Sequence, residues 1–264
     1  MNLTPSAKMS RKPGDQFNQS AAMRAMLASE ARLLARNPGV VIWTAILPVA
    51  AAIVLAAIPA VRKPSKDLGG LSFYHVYQPI LILFAITLLA VQALPDVLTR
   101  YREMGVLKRL RTTPASPALL LSAQLALTLV ASPGCTTLMT VVPALIGASW
   151  PDDAGGFLLS YFLAAWALLG LGLLIASLFN NPKLAAGFGT VLFFGLQFFA
   201  GLWLQRPQMP TWLRHISDFT PSGAGVQALT DSAVGHWPKL VHLLVLAVWG
   251  ASTSALSTRL FSWE

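Results

Sequence analysis

The segment from Arg100 to Pro117, RYREMGVLKRLRTTPASP, combines charged and apolar residues in an order that suits docking to a partner. Apolar side chains recur there at helical spacing with basic side chains between them: Tyr101, Val106, Leu107 and Leu110 alternate with Arg102, Lys108, Arg109 and Arg111. Pro114 and Pro117 then restrict the backbone before the next apolar run. A short amphipathic helix of this kind can place its apolar side in a groove on a soluble partner. The alternative is that the basic residues only orient the chain in a membrane and contact lipid headgroups.

Other kinds of chemistry have little support in the sequence. No G-x-S-x-G, H-E-x-x-H or G-x-x-x-x-G-K-[ST] motif occurs, so the sequence contains no nucleophile elbow, zinc-protease motif or P-loop. The single cysteine, Cys135, rules out an internal disulfide, and the four histidines lack metal-ligand spacing. His242 and Gln197 lie within apolar runs, where a packed or interhelical hydrogen-bonding role is expected. We therefore expect no catalytic residue, no metal site and no cofactor bound directly by this chain.

The composition indicates that lipid surrounds most of the chain. Of the 264 residues, 55% are hydrophobic and 11% are charged, whereas soluble domains carry roughly 25% charged residues. A net charge of +9 would suit nucleic acid, but the basic residues cluster beside apolar segments. We expect contact with membrane lipid and no binding of nucleic acid.

Six apolar segments approach the ~20 residues that one helical crossing of a bilayer needs. They cover residues 40–61, 79–98, 118–147, 156–179, 184–204 and 240–258. Asp96, near the end of the second segment, is expected at the membrane interface rather than as a proton carrier. Pro133-Gly134 in the third segment predicts a kink, because two halves of about 15 residues are each too short to cross a bilayer.

The basic residues of the connecting segments favour an orientation with both termini in the cytoplasm. In that orientation the cytoplasmic segments are residues 1–39, 99–117, 180–183 and 259–264, which hold 13 of the 19 Lys and Arg residues. Such an excess is what the positive-inside rule predicts. Arg62, Lys63 and Lys66, which fall on the external side, weaken the signal.

Two further segments are expected to lie along the membrane surface. Residues 20–36 place Met and Leu at helical spacing, with Arg24, Arg32 and Arg36 on another side, which predicts an interfacial helix with its arginines toward lipid phosphates. The alternative is an amphipathic helix packed on the same protein.

Residues 1–19 are polar and are expected to be disordered and cytoplasmic. Residues 205–238 predict short helices that dip into the outer leaflet, or equally an ordinary external loop.

Glycine and phenylalanine are interleaved in the fifth apolar segment. Several glycines would let helix backbones approach closely: Gly187, Gly189, Gly195 and Gly201, with Gly170 and Gly172 in the fourth segment. A path for a large apolar substrate is one interpretation, formed by Gly195, Gln197, Phe198 and Gly201. Tight helix packing with lipid-facing aromatic side chains is the other.

Three short motifs, taken in order along the chain, resemble one family. The loop between the second and third segments fits the pattern E-x-G-x-L-x-x-L-x-x-x-P with Glu103, Gly105, Leu107, Leu110 and Pro114. Two more are Arg36-Asn37-Pro38 before the first segment and Thr220-Pro221 followed by GAGVQAL at 223–229. Together they resemble the ABC-2-type permeases, membrane subunits of bacterial exporters driven by ATP-binding-cassette ATPases, and especially the antibiotic-export branch.

The resemblance implies an all-α membrane protein, with a single transmembrane domain over residues 20–264. Its parts would be six transmembrane helices, an N-terminal interfacial helix, a cytoplasmic coupling helix and external re-entrant helices before the last span. It also implies two kinds of partner, an ABC ATP-binding subunit that holds ATP and Mg²⁺ and a second permease subunit in a homodimer or heterodimer. Coupling to the ATPase would depend on residues of the loop: Arg102, Glu103, Gly105, Leu107, Leu110, Arg111 and Pro114. In that scheme Glu103 and Arg111 anchor the coupling helix, while Leu107 and Leu110 dock it.

We therefore expect a permease subunit, without ATPase motifs of its own, of an ATP-driven exporter in the bacterial plasma membrane. The expected substrate is hydrophobic or amphipathic, like a drug or antibiotic, so that efflux would give antibiotic resistance. Export of a lipid-linked or polysaccharide substrate is the alternative. An ion-coupled secondary carrier is less favoured, because coupling an ion needs ligands within the membrane. A membrane enzyme acting on lipid is disfavoured because no cluster of Asp, His or Ser lies at one depth.

Overall fold

The computed structural model describes residues 42–105 and 117–260, together with Arg24, Leu27, Ala28, Arg32 and Gly39; between residues 117 and 130 it describes the side chain of Thr128 only. Within these residues the fold is all-helical, as the sequence predicts. The helices are α1 (Ile42–Ala57), α2 (Phe73–Glu103), α3 (Pro117–Leu145), α4 (Ala154–Leu178), α5 (Pro182–Ala200), α6 (Thr211–Asp218), α7 (Pro221–Ala233) and α8 (Leu240–Leu260). Short 3₁₀ turns lie at Pro59–Arg62, Lys66–Leu68 and Arg206–Gln208.

Each of the six predicted segments coincides with a helix in the described part of the chain. By length and apolar composition, four of these helices can cross a membrane, namely α2, α4, α5 and α8. The apolar helix α1 is shorter, and α3 contains 29 residues. The protein is therefore a multi-pass membrane protein with four crossings supported in this way.

Helix α2 is longer at both ends than the predicted segment 79–98. It begins after Ser72, whose hydroxyl accepts a hydrogen bond from the backbone N–H of His75 at 3.2 Å, and Pro79 lies inside the helix. The proline therefore does not end the helix, and the limits of the membrane-crossing part, residues 79–98, stay a prediction. At the other end the helix continues past its charged residues to Glu103.

Helix α3 runs through Pro133 and Gly134 without interruption. A second proline in the same helix, Pro143, has no N–H to bond the carbonyl of Met139. The side-chain amide of Gln78 on α2 donates to that carbonyl instead, at 3.3 Å within the buried core. The two helices are thus joined at a proline site.

Small residues bring α2, α4 and α5 close together. The middle of α2 is a π-helical turn, Leu88–Ala93. A Cβ on Gly172 of α4 would overlap the carbonyl oxygen of Ala90, and one on Gly189 of α5 would lie 2.6 Å from that of Val91. The sequence prediction of close approach is confirmed at these two glycines. No atom of the described chain lies within 4 Å of a Cβ placed on Gly187 or Gly195, so close approach at these two glycines stays a prediction.

The helices alternate in direction, so the molecule has two ends that we name after the termini of α2. The Glu103 end gathers the end of α4 and the start of α5, and Arg102 contacts both Ala176 and Asn180 there. The Phe73 end gathers the segments around residues 58–72, 146–153 and 201–239. Among its contacts, Arg62 donates to the carbonyl of Ile146 at 3.1 Å.

Residues 205–238 form short helices, as the sequence predicts. Helix α7 packs against α4, α5 and α8, and most of its residues are buried. Helix α6 is amphipathic, with Leu213 buried and Trp212 and Ile216 exposed. This segment is therefore an integral part of the Phe73 end.

Candidate functional site

Gly105 marks the point where α2 ends and the predicted coupling loop begins. The backbone N–H groups of Met104 and Gly105 donate to the carbonyls of Arg100 and Arg102, each at 2.9 Å. The φ angle of Gly105 is +65°, in the left-handed region where a Cβ is unfavourable. The glycine of the E-x-G motif is thus the residue that stops the helix.

Arg102 fastens α2 to the end of α4. Its Nη1 atom donates to the carbonyl of Ala176 at 2.7 Å and to Oδ1 of Asn180 at 3.1 Å. The last carbonyls of a helix have no partner within the helix and carry partial negative charge, so a guanidinium group stabilises them. Arg102 therefore holds the stem of the predicted coupling loop against a second helix of the bundle.

Two acidic residues lie close to this point. Asp96 accepts a hydrogen bond from Nε of Arg100 at 2.9 Å, one turn further along α2, and both side chains are partly exposed. Glu103, the first residue of the motif, is exposed. Its carboxylate is therefore accessible to a partner at the Glu103 end.

Several predicted site residues cannot be located. Leu107, Leu110, Arg111 and Pro114 lie outside the described residues, as do Arg36 and residues 1–19. Arg24 and Arg32 have helical backbone and exposed side chains. Their assignment to an interfacial helix stays a prediction.

The structure does not bring the four residues of the predicted substrate path onto one surface. Gln197 is fully buried, and neither atom of its amide has a hydrogen-bond partner among the described residues. Phe198 is 37% exposed, and Gly195 faces open space. Gly201, with φ of +90°, ends α5. The path along α5 stays a prediction.

A polar cluster at the Phe73 end was not foreseen from the sequence. Arg206 binds both carboxylate oxygens of Asp218 with its two Nη atoms, and Nε2 of His242 lies 3.4 Å from Oδ1 of the same carboxylate. His242 is only 3% exposed. The cluster joins a 3₁₀ turn, the end of α6 and the start of α8. The residues are far apart in sequence, and no local pattern pairs them.

The electrostatics of the cluster favour an ionised Asp218. Burial alone would raise the pKa of this carboxyl, but the hydrogen bonds and charge of Arg206 outweigh burial, so the pKa of Asp218 lies below its ordinary value. A half-buried carboxylate held by both Nη atoms of one arginine is restricted to one geometry. The cluster is therefore a structural lock between α6 and α8.

In the described part of the chain, no group of three or more His, Cys, Asp or Glu side chains is placed to hold a metal ion. At the Glu103 end, α2 ends at Gly105, Arg102 joins α2 to α4, and the carboxylate of Glu103 is exposed.

Comparison with known proteins gives one family. The family model described as "ABC-2 type transporter" matches residues 21–233 of the chain. The matched range includes the loop after α2 and ends with α7. No curated protein matches the chain.

Proposed function

The chain belongs to the ABC-2 type transporter family and is the membrane subunit of an ABC transporter, and from this premise we propose that it serves an ATP-driven exporter. A separate ABC subunit binds and hydrolyses ATP, and a second permease subunit completes the pathway. The exporter moves a hydrophobic or amphipathic, drug-like substrate out of a bacterial cell. This chain supplies the path and the mechanical coupling, and the partner supplies the chemistry.

The attachment of Arg102 to α4 is the observation that carries this proposal. Because its guanidinium binds Ala176 and Asn180, a displacement of α2 at its Glu103 end either breaks these hydrogen bonds or pulls on α4 and the turn into α5. A force applied to the loop after Gly105 therefore reaches three helices at once. This is the arrangement that a coupling element needs.

The coupling step then depends on residues beyond the helix stop. We assign apolar docking on the ATPase to Leu107 and Leu110, and polar anchoring to Glu103 and Arg111. ATP binding closes the two ATPases together, the loop moves with them, and the bundle shifts between inward-open and outward-open states. No ionisable residue of the chain takes part in the ATP chemistry.

The proposed orientation places the Glu103 end in the cytoplasm. Six crossings, with both termini inside, put the loop after α2 and the α4–α5 turn on the ATPase side. Helices α6 and α7 then lie at the outer leaflet, and the exposed Trp212 of α6 suits the aromatic belt of a membrane interface. The basic residues counted above support the same orientation.

Affinity purification from the native membrane tests the proposal. The tagged chain is extracted in a mild detergent, and mass spectrometry asks whether an ATPase with Walker motifs co-purifies in near-equal amount. We expect that it does, and that Leu107→Asp removes it, because a charge on the apolar side prevents docking. Thr112→Asp, which adds the same charge on the polar side of the same loop, is the matched control.

Both variants must first elute as folded, membrane-extracted protein of the same size as the wild type. Loss of the ATPase from both variants would point to a general effect of charge in the loop and not to docking. Absence of any ATPase from the wild-type preparation would refute the proposed function.

A further inference from the structure

A cavity at the Phe73 end is not used by the proposed coupling. Its volume is about 270 Å³, and its walls come from α2, the end of α5, the 3₁₀ turn, α6 and α7. Most of the lining is apolar and includes Val76, Ile80 and Val226. A pocket with apolar walls binds hydrocarbon by removing it from water.

The size of the cavity restricts what it can hold. At ~30 Å³ for the liquid volume of one water, the cavity has room for roughly nine waters, and a methylene group occupies a similar volume. Drug-sized ligands use pockets of about 300–1,000 Å³. A single alkyl chain of medium length fits this volume.

The charges on the lining are positive. Arg206 and Arg214 both line the cavity, and no Asp or Glu does so. Asp218 neutralises Arg206, as described above. Arg214 donates from Nε to the carbonyl of Met209 at 2.8 Å and from Nη2 to that of Pro207 at 2.7 Å. Within the described chain no carboxylate lies at ion-pair distance from Arg214, so its positive charge is not neutralised.

From these observations we propose that the cavity is a binding site for an anionic single-chain amphiphile. The alkyl chain occupies the apolar part between α2 and α7, and the acidic group lies at Arg214. Gln227, at the same wall, offers an amide to the headgroup. The site goes beyond the proposed function, because binding needs neither an ATPase nor a second subunit.

Equilibrium dialysis with radiolabelled decanoate tests the site directly. The purified chain is placed in nanodiscs of phosphatidylcholine, and binding to empty nanodiscs is subtracted. We expect saturable binding of decanoate, and binding of decanol at least about tenfold weaker because it lacks the charge. Decyltrimethylammonium, which carries the opposite charge, is expected to bind no better than decanol.

Variants assign the binding to the cavity. Arg214→Gln should weaken decanoate binding about tenfold, and Arg214→Lys should restore most of it, because lysine keeps the charge while losing the two-carbonyl fork. Gln227→Trp should reduce binding by filling the cavity from a partly exposed position. Arg62→Gln is the matched control, since Arg62 also donates to a backbone carbonyl at this end but does not line the cavity.

The outcomes separate this inference from the proposed function. Equal binding of decanoate and decanol, or equal losses in Arg214→Gln and Arg62→Gln, would overturn the site even if the ATPase co-purifies. If Arg214→Gln does not fold, Gln227→Trp decides, and unchanged binding in that variant would overturn the site.

Discussion

The guanidinium of Arg102 binds another helix of the same chain, which its position beside a basic loop does not predict. Sequence reasoning grouped it with the residues that couple to the ATPase, because it lies next to the E-x-G motif. Its side chain instead donates to Ala176 and Asn180 at the end of α4. The proposed coupling role and the observed contact are compatible. Because Arg102 holds the end of α2 against α4, a force on the loop after Gly105 would reach α4 through this contact.

Replacement of Arg102 tests the anchor. We expect Arg102→Gln to lower the free energy of unfolding by about 1–3 kcal/mol, because half-buried carbonyls lose a charged donor. Arg102→Lys should lose less, since an ammonium group keeps the charge but does not span the separated acceptors as well. The midpoint of thermal denaturation, followed by size-exclusion chromatography, measures both changes.

Arg100→Gln is the control for Arg102, because Arg100 is one turn from the same helix end and makes an exposed pair with Asp96. Such a pair contributes only about 0.2–0.5 kcal/mol. An Arg102→Gln variant as stable as Arg100→Gln would show that the contact with α4 does not stabilise the fold.

Among the elements, α2 shows what local sequence can and cannot predict. Its apolar middle was found because a long, mostly apolar run is a local property of the sequence. Its ends were missed because Pro79 and Asp96 resemble boundaries. Pro79 lies inside the helix, and the carboxylate of Asp96 pairs with Arg100 one helical turn away, so neither residue ends α2.

The close approach of α4 to the π-helical turn of α2 predicts a strong effect of one methyl group. In Gly172→Ala the new Cβ overlaps the backbone carbonyl of Ala90, which cannot rotate away as a side chain would. We expect a loss of about 1–3 kcal/mol or more, as overpacked cores show. Thermal denaturation and the yield of folded protein measure it.

Gly195→Ala is the matched control for Gly172→Ala, because it adds the same methyl group to a transmembrane helix where no described atom lies within 4 Å. Alanine favours a helix over glycine by about 1 kcal/mol. This variant should therefore be as stable as the wild type or more so. Equal destabilisation of the two variants would contradict the packing argument.

The hydrogen bond from Gln78 of α2 to the carbonyl of Met139 in α3 predicts that substitutions of Gln78 and Pro143 have coupled effects on stability. Gln78→Leu should destabilise the protein by about 1–3 kcal/mol, because the buried carbonyl of Met139 loses its donor. In a Pro143→Ala background residue 143 regains an N–H that can bond the same carbonyl within the helix. Gln78→Leu should then cost much less, and a double-mutant cycle gives the coupling energy. Additive effects would show that the amide does not compensate for the proline.

At the scale of the whole molecule, features formed by residues close in sequence could be predicted, and features formed by residues far apart in sequence could not. The helices follow from apolar runs, whereas the left-handed Gly105 at the end of α2 was not predicted from the sequence. The cluster of Arg206, Asp218 and His242 joins residues 12 and 24 positions apart, and the cavity beside it joins α2 to α7. Their pairing is decided by how α6, α7 and α8 pack, which no window of the sequence contains.

The orientation of the whole bundle is the most general prediction and rests on an excess of 13 of 19 basic residues on one side. In a Cys135→Ser background, Lys63→Cys and Lys183→Cys place single thiols in the segment after α1 and at the start of α5. Because the side that holds 13 basic residues is expected to be cytoplasmic, residue 183 should stay in the cytoplasm and residue 63, despite the basic residues around it, should be outside. A membrane-impermeant maleimide applied to intact spheroplasts should therefore label residue 63 directly, and residue 183 only after permeabilisation.

Because the two positions lie at opposite ends of the bundle, labelling both from the same side would contradict the helix directions as well as the orientation. Reversed labelling would place the Glu103 end outside, where no ATPase could reach the loop after Gly105.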